Sequence, residues 1–282
     1  DVRIVNLSLL AVDWYIDYLK LAINDTEPVP FSLRQDQYRG DNRDIVIHRV
    51  AKLSNKALTK EIKEKGFPLK STMKYILSED KNRKIRASED TWYSTFPFKK
   101  LRVDVDRKSV EESNVLSGDE WGKFDSVMTW SVGKRMLYKN DLMVLDLINQ
   151  NKWKRPIYFA VSVASDAYVG LEKFFRLEGL TYRVVPVSTR NSEGFYGYVD
   201  TERMYDNLMN KFKFGGIDTE DNIYLDEGIL RMALNLRIQY SRLAQALIEK
   251  NELEKAKKVL DRCLEVLPEK NVPYNMIMMQ YI

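Results

Sequence analysis

The chain has 282 residues, 44% of them hydrophobic and 30% charged, which is the usage of a folded globular protein and not of a disordered one. Its 45 basic and 41 acidic residues nearly cancel, at +4, and no basic stripe interleaved with aromatics is present, which argues against nucleic acid as a partner. The single cysteine, Cys263, excludes an internal disulfide, and the single histidine, His48, removes most metal-site and His-based catalytic schemes.

Val2 to Leu9 is an apolar, β-branched run that predicts a strand, and Val12 to Ile23 follows with helical spacing through Trp14, Ile16, Tyr18 and Leu19. Asp13, between them, is the expected N-cap. From about residue 25 to 133 charge is high and periodicity poor. Helices are predicted over Val50–Lys65 and near Met73–Leu77, with strands at Leu101–Val105 and Val127–Val132, so this stretch reads as an α+β insertion. The order then becomes regular: a helix over Leu142–Asn149, the Arg155-Pro156 break, a strand over Ile157–Val163, a helix over Tyr168–Leu177 and a strand over Leu180–Val187. Alternation of this kind predicts an α/β domain over residues 1–222, built on a mixed, mainly parallel sheet flanked by helices. Asp200–Phe212 reads as a helix closed by Gly215-Gly216. No apolar run approaches the roughly 18 to 20 residues a membrane-spanning helix needs.

Residues 223–282 are helical throughout and carry the strongest period in the chain. Tyr240, Leu243, Ala244 and Leu247 are followed by Ala256, Leu260, Cys263 and Pro268, and Asn251 supplies the turn between them. Tyr274, Ile277, Met278 and Tyr281 repeat the first set at the tetratricopeptide period of about 34 residues. The segment is therefore expected to be a tetratricopeptide-like helical tail that leans on a neighbour, since such helix pairs bury their faces only by stacking. Cys263 stands where the repeat takes alanine, as a small packed hydrophobe. The chain opens at Asp1 in a strand-like run and stops at Ile282 inside a helical pattern, so a piece of a longer polypeptide is expected.

Five phrases carry a family resemblance: Asp1-Val2-Arg3-Ile4-Val5-Asn6-Leu7-Ser8-Leu9-Leu10, Asp13-Trp14-Tyr15-Ile16, Trp153-Lys154-Arg155-Pro156-Ile157-Tyr158-Phe159-Ala160, Leu177-Glu178-Gly179-Leu180-Thr181-Tyr182-Arg183 and Met204-Tyr205-Asp206-Asn207. Together they resemble the soluble C-terminal region of a bacterial family of multi-pass membrane proteins similar to protein O-mannosyltransferases. The resemblance implies an extracytoplasmic, periplasmic piece tethered by membrane helices of the same polypeptide, and a glycosyltransferase whose acidic catalytic residue lies in a loop among those helices. No catalytic residue, metal or cofactor is carried over to this chain.

Ligands of open parallel sheets bind at the carboxyl ends of the strands. On the predicted order those ends hold Ser8, Asp13 and Trp14 after the first strand, and Ser162, Ser165, Asp166 and Tyr168 after the second. An aromatic ring beside carboxylates and hydroxyls suits a sugar, the ring taking its face and the polar groups its hydroxyls. The plainer alternative is that Asp13 caps a helix and Trp14 packs beneath it. Arg155, Arg183, Glu178 and Asp200 are expected to form structural ion pairs. No Gly-x-Gly-x-x-Gly, Gly-Lys-Ser/Thr or Gly-x-Ser-x-Gly motif occurs. The expectation is a non-catalytic domain that positions an acceptor protein or glycan. A free-standing carbohydrate-active enzyme using Asp13 and Asp166, and a pure tetratricopeptide-type assembly module, are the alternatives.

Overall fold

A computed structural model describes residues 2–51, 56–189, 196–219 and 223–274. They form a mixed α/β structure of two compact units. The first comprises Asp1–Pro156, Ala164–Leu171 and Pro186–Ser188, and the second Ile157–Val163, Glu172–Val185 and Thr189–Ile282.

In the first unit the helices are α1 (Asp13–Leu19), α2 (Gln35–Tyr38), α3 (Lys56–Lys65), α4 (Leu69–Ile76), α5 (Arg107–Glu112) and α6 (Lys139–Asn151). Its strands are β1 (Ile45–His48), β2 (Phe67–Pro68), β3 (Lys84–Arg86), β4 (Trp92–Phe96), β5 (Lys100–Asp104), β6 (Val127–Ser131) and β7 (Met136–Tyr138). They assemble as two sheets, in the orders β3-β4-β1-β7 and β2-β5-β6. The amphipathic helix α4 buries Leu69, Met73 and Ile76, while α6 buries Leu142, Met143, Leu145 and Ile148. Gly66 and Gly170 mark the closest backbone approaches. A Cβ on Gly170, whose φ is +86°, would sit 2.2 Å from the carbonyl oxygen of Ser131 on β6.

The second unit holds a third sheet, in the order β11-β9-β10-β8, from β8 (Tyr158–Ala160), β9 (Phe175–Leu177), β10 (Thr181–Val184) and β11 (Tyr198–Val199). Helix α7 (Thr201–Asp206) runs into a single π turn at Asn207–Lys211, and two longer helices follow, α8 (Glu227–Glu249) and α9 (Leu253–Val266). One sheet face is apolar, through Phe159, Phe175, Leu177, Tyr182 and Val184. The opposite face carries a cross-strand row, Tyr198–Arg176–Arg183–Tyr158, set by the register. Arg183 is fully buried and pairs with Glu178 and with Asp200 at 2.9 Å, the ion pairs expected from the sequence. Arg155, in the first unit, donates instead to the backbone carbonyls of Glu27 and Pro28.

The helical pair leans on the rest of its unit through specific bonds. The Tyr240 hydroxyl donates to Leu208 O at 2.9 Å, Arg242 donates to the carbonyls of Tyr196 and Gly197, and Lys250 donates to Thr201 Oγ1. Tyr240, Leu243, Ala244, Leu247, Ala256 and Cys263 are buried, and Asn251 makes the interhelical turn at φ +62°. Leu260 does not join them: it is 42% exposed, and Val259 takes the inward position. The repeated positions Ile277, Met278 and Tyr281 lie outside the described residues.

Three expectations are corrected. Val2–Leu9 forms no strand. Val2 and Ile4 are each 84% exposed, and the segment is held by side chains instead, Arg3 donating to Thr26 Oγ1 and the Tyr15 hydroxyl accepting from Asn6 N. The helix over Tyr168–Leu177 is replaced by two short 3-10 turns, Ser165–Tyr168 and Glu172–Phe174, followed by β9. Val169 at φ +48° and Gly170 at +86° take left-handed backbone that an α-helix cannot contain. Without that crossover helix, β9 and β10 join through the tight Glu178–Leu180 turn and pair antiparallel, because a parallel connection needs a dozen or more residues. The sheets are accordingly not mainly parallel. Among the described residues β1–β4, β2–β5 and β9–β11 are parallel, whereas β1–β7, β3–β4, β5–β6, β8–β10 and β9–β10 are antiparallel.

Candidate binding groove on helix α1

Helix α1 turns one face into the core and the other to water. Ile16 and Leu19 are buried with Tyr15, while Trp14, Tyr18 and the following Leu21 stand 62%, 47% and 58% exposed. Trp14, Asp17, Tyr18 and Leu21 follow the i, i+3, i+4, i+7 spacing of one helical stripe. With Lys20, Gln35 and Tyr38 they line an open groove of about 530 Å³ within the first unit.

The rings are ordered. Trp14 meets Tyr15 edge-on, with centroids 5.7 Å apart, and Tyr15 stacks beside Tyr18 at 6.4 Å. Arg3 lies over the Tyr18 ring at 5.9 Å. Tyr38 is buried at the base of the groove, and its hydroxyl donates to Asp17 Oδ1. The same oxygen accepts from Gln35 Nε2 at 3.0 Å. These hydrogen bonds, Tyr38's first, hold the Asp17 carboxyl below its ordinary range. Desolvation, then the Asp17 bond, pushes the Tyr38 phenol well above its own. Lys20 is turned inward: its ammonium donates to Leu33 O and lies 4.8 Å over the Tyr38 ring, and burial lowers its pKa.

The residues singled out from sequence divide. Trp14 lines the groove, exposed rather than packed under the helix. Asp13 does not line it and is not the N-cap. Val12 caps α1, and Asp13 is the first helical residue. The Asp13 carboxylate accepts from Gly40 N at 2.7 Å and pairs with Lys139 at 3.5 Å. Lys139 is itself buried, bonded to Gly40 O and Asp44, so Asp13 belongs to a structural junction. Ser8 is exposed at the start of a 3-10 turn over Leu9–Ala11, its amide bonded to Asn6. Ser165 and Asp166 are exposed on their own turn, Tyr168 beside them is 2% exposed, and none of the three lines the groove. Ser162 is exposed in the second unit.

Asp17, Tyr18, Lys20, Leu21, Gln35 and Tyr38 were not picked out. The stripe spacing of Trp14, Asp17, Tyr18 and Leu21 was readable, but which face of α1 met water was not. Gln35 and Tyr38 reach the groove only through tertiary folding.

The fold and groove define a class: a mixed α/β structure with a C-terminal helical pair and an exposed aromatic–carboxylate groove on its first helix. Residues 1–203 match the family model described as TMEM260-associated domain 2, and the chain belongs to that family. No curated protein and no solved structure matches the chain. The family's description ties the domain to a transmembrane protein, while no helix among the described residues is long and apolar enough to cross a membrane.

Proposed function

We propose that this chain is a non-catalytic, extracytoplasmic module of a glycosyltransferase-like membrane protein, and that the α1 groove positions an acceptor protein or glycan for the membrane-embedded active site. The carrying observation is the exposed Trp14–Tyr18–Leu21 stripe beside the oriented Asp17 carboxylate. A contiguous aromatic face kept in water is a recognition feature, since folding alone would bury it. Family membership supports the membrane association. The O-mannosyltransferase-like chemistry, the periplasmic location and the tethering membrane helices rest on the phrases quoted from the sequence.

In this reading α8 and α9 are a tetratricopeptide-like pair that makes protein contacts, their outer face carrying the half-exposed Leu253, Leu260 and Leu264. Two helices of this type need further packing to cover such a stripe. The test is transfer by the complete membrane protein. With Trp14→Ala and Tyr18→Ala together, the KM for acceptor should rise about ten-fold or more while turnover at saturation is kept. Unchanged acceptor kinetics in that variant would remove the groove from the function.

A further inference from the structure

We infer that the α1 groove recognises a neutral pyranose, with a ring face on Trp14 and Tyr18 and a hydroxyl donating to Asp17 Oδ2. The inference rests on the proposed acceptor-positioning role and narrows its ligand.

The hydrogen-bonding inventory of the groove argues for that chemistry. Asp17 Oδ1 is taken by Tyr38 and Gln35, while Oδ2 accepts no hydrogen bond among the described residues. The two inner bonds fix the carboxylate plane, so Oδ2 is a pre-set acceptor beside exposed rings. An ionised carboxylate accepts and never donates. Lys20, which lines the groove, is committed to Leu33 O and the Tyr38 ring, and Arg3 is committed to Thr26 Oγ1, Leu19 O and the face of Tyr18. Arg39 acts on Asp17 only as a nearby charge and does not line the groove.

A phosphate or carboxylate ligand would bring acceptors against an acceptor and meet no cation in the groove free to pair with it. An unadorned aliphatic ligand would leave Asp17 unused. A sugar without charge supplies both halves: hydroxyl donors along one edge, and an axial C–H face that packs on an indole or phenol ring. Gln35, exposed at the rim, retains its amide oxygen for a further hydroxyl. A groove of about 530 Å³ accommodates one such ring with its linkage open to water.

The experiment titrates the full chain with a panel of methyl pyranosides differing in hydroxyl orientation, a sugar phosphate, an unglycosylated acceptor peptide and anionic phospholipid vesicles. The Trp14 indole N–H resonance is the readout. At least one neutral pyranoside should shift that resonance saturably, more tightly than the sugar phosphate. Asp17→Asn keeps a carbonyl oxygen for Tyr38 and Gln35 and replaces Oδ2 with a donor, so it should weaken binding by about ten-fold or more. Trp14→Ala, at a side chain exposed enough to spare the fold, should abolish binding as followed by calorimetry. Pyranoside affinity untouched by Asp17→Asn in a folded variant overturns the inference, as does tighter binding of the sugar phosphate. A Trp14 shift produced only by the peptide overturns the neutral-sugar assignment and leaves acceptor positioning standing. A shift produced by vesicles alone, or by nothing in the panel, overturns both.

Discussion

The two units differ in how they hold buried charge. The first keeps its groove carboxylate near the surface and seats the acids Asp141 and Asp146 in its interior together with the cations Lys139 and Arg43. Asp146, fully buried on α6, accepts from the amide and hydroxyl of Ser32, both at 2.6 Å, and Asp141 accepts from Lys134 and from Tyr138 N. The second buries arginines: Arg176, Arg183, Arg237 and Arg242 are all 7% exposed or less. Arg183 pairs with carboxylates, whereas Arg237 and Arg242 donate to the main-chain carbonyls of Leu267, Tyr196 and Gly197. Guanidinium suits both kinds of acceptor, since it supplies five donors in a rigid fork.

That contrast can be broken most directly at Arg183. Arg183→Met leaves the buried Glu178 and Asp200 with the partly exposed Arg203, 3.7–3.8 Å away, in place of their buried cation, and should cost about 3 kcal/mol in denaturant unfolding. A variant as stable as the parent would make the network dispensable. In the first unit the comparable lesion is steric rather than electrostatic. Gly170→Ala places a Cβ into the Ser131 carbonyl at a positive φ, and a loss on the order of 3 kcal/mol is expected by the same measurement.

Smaller effects separate the two acids of the first unit by sign. Burial raises the Asp146 pKa above its ordinary 3.8, so its contribution favours the folded state in acid and is lost as pH climbs through the folded value. Hydrogen bonds from Tyr38 and Gln35 lower that of Asp17, so its contribution is present above 3.8 and lost as pH falls through the lower, folded value. Stability profiles of Asp146→Asn and Asp17→Asn should therefore lose pH dependence on opposite sides of 3.8. Like-signed changes would contradict the two environments.

The mildest probe is Cys263, buried on α9, whose thiol is pushed up to about 11 by desolvation. Its thiolate fraction at pH 8 should be about 100-fold below that of the unfolded chain. Alkylation of the native protein should accordingly be slow and should accelerate with opening of the second unit. Fast native labelling would mean that α8 and α9 separate readily.

Much of the element inventory was legible because its signals are local. The apolar spacing of α6, the alternation around Leu101 and Val127 and the Tyr240–Leu247 period each depend on residues within one or two turns. The failures came where a partner decides. Val2–Leu9 has the composition of a strand but no ladder to join. Tyr168–Leu177 has helical spacing, yet Val169 and Gly170 are held in left-handed backbone, Gly170 pressed against β6. Of the seven site residues proposed from the carboxyl ends of strands, Trp14 alone reached the groove, since the sheet order that places such ends together did not form.

By itself the sequence determined an α/β chain with a helical tail, one buried thiol, and phrases tying it to a membrane-protein family, because composition, short-range period and wording are properties of a linear string. Only the tertiary structure decided that five strand pairings among the described residues run antiparallel, that Trp14 and Tyr18 face water, and that Tyr38 and Gln35 aim Asp17. Those depend on which distant groups meet, and the hydrogen bonds and buried faces that choose among meetings act across the fold rather than along the chain.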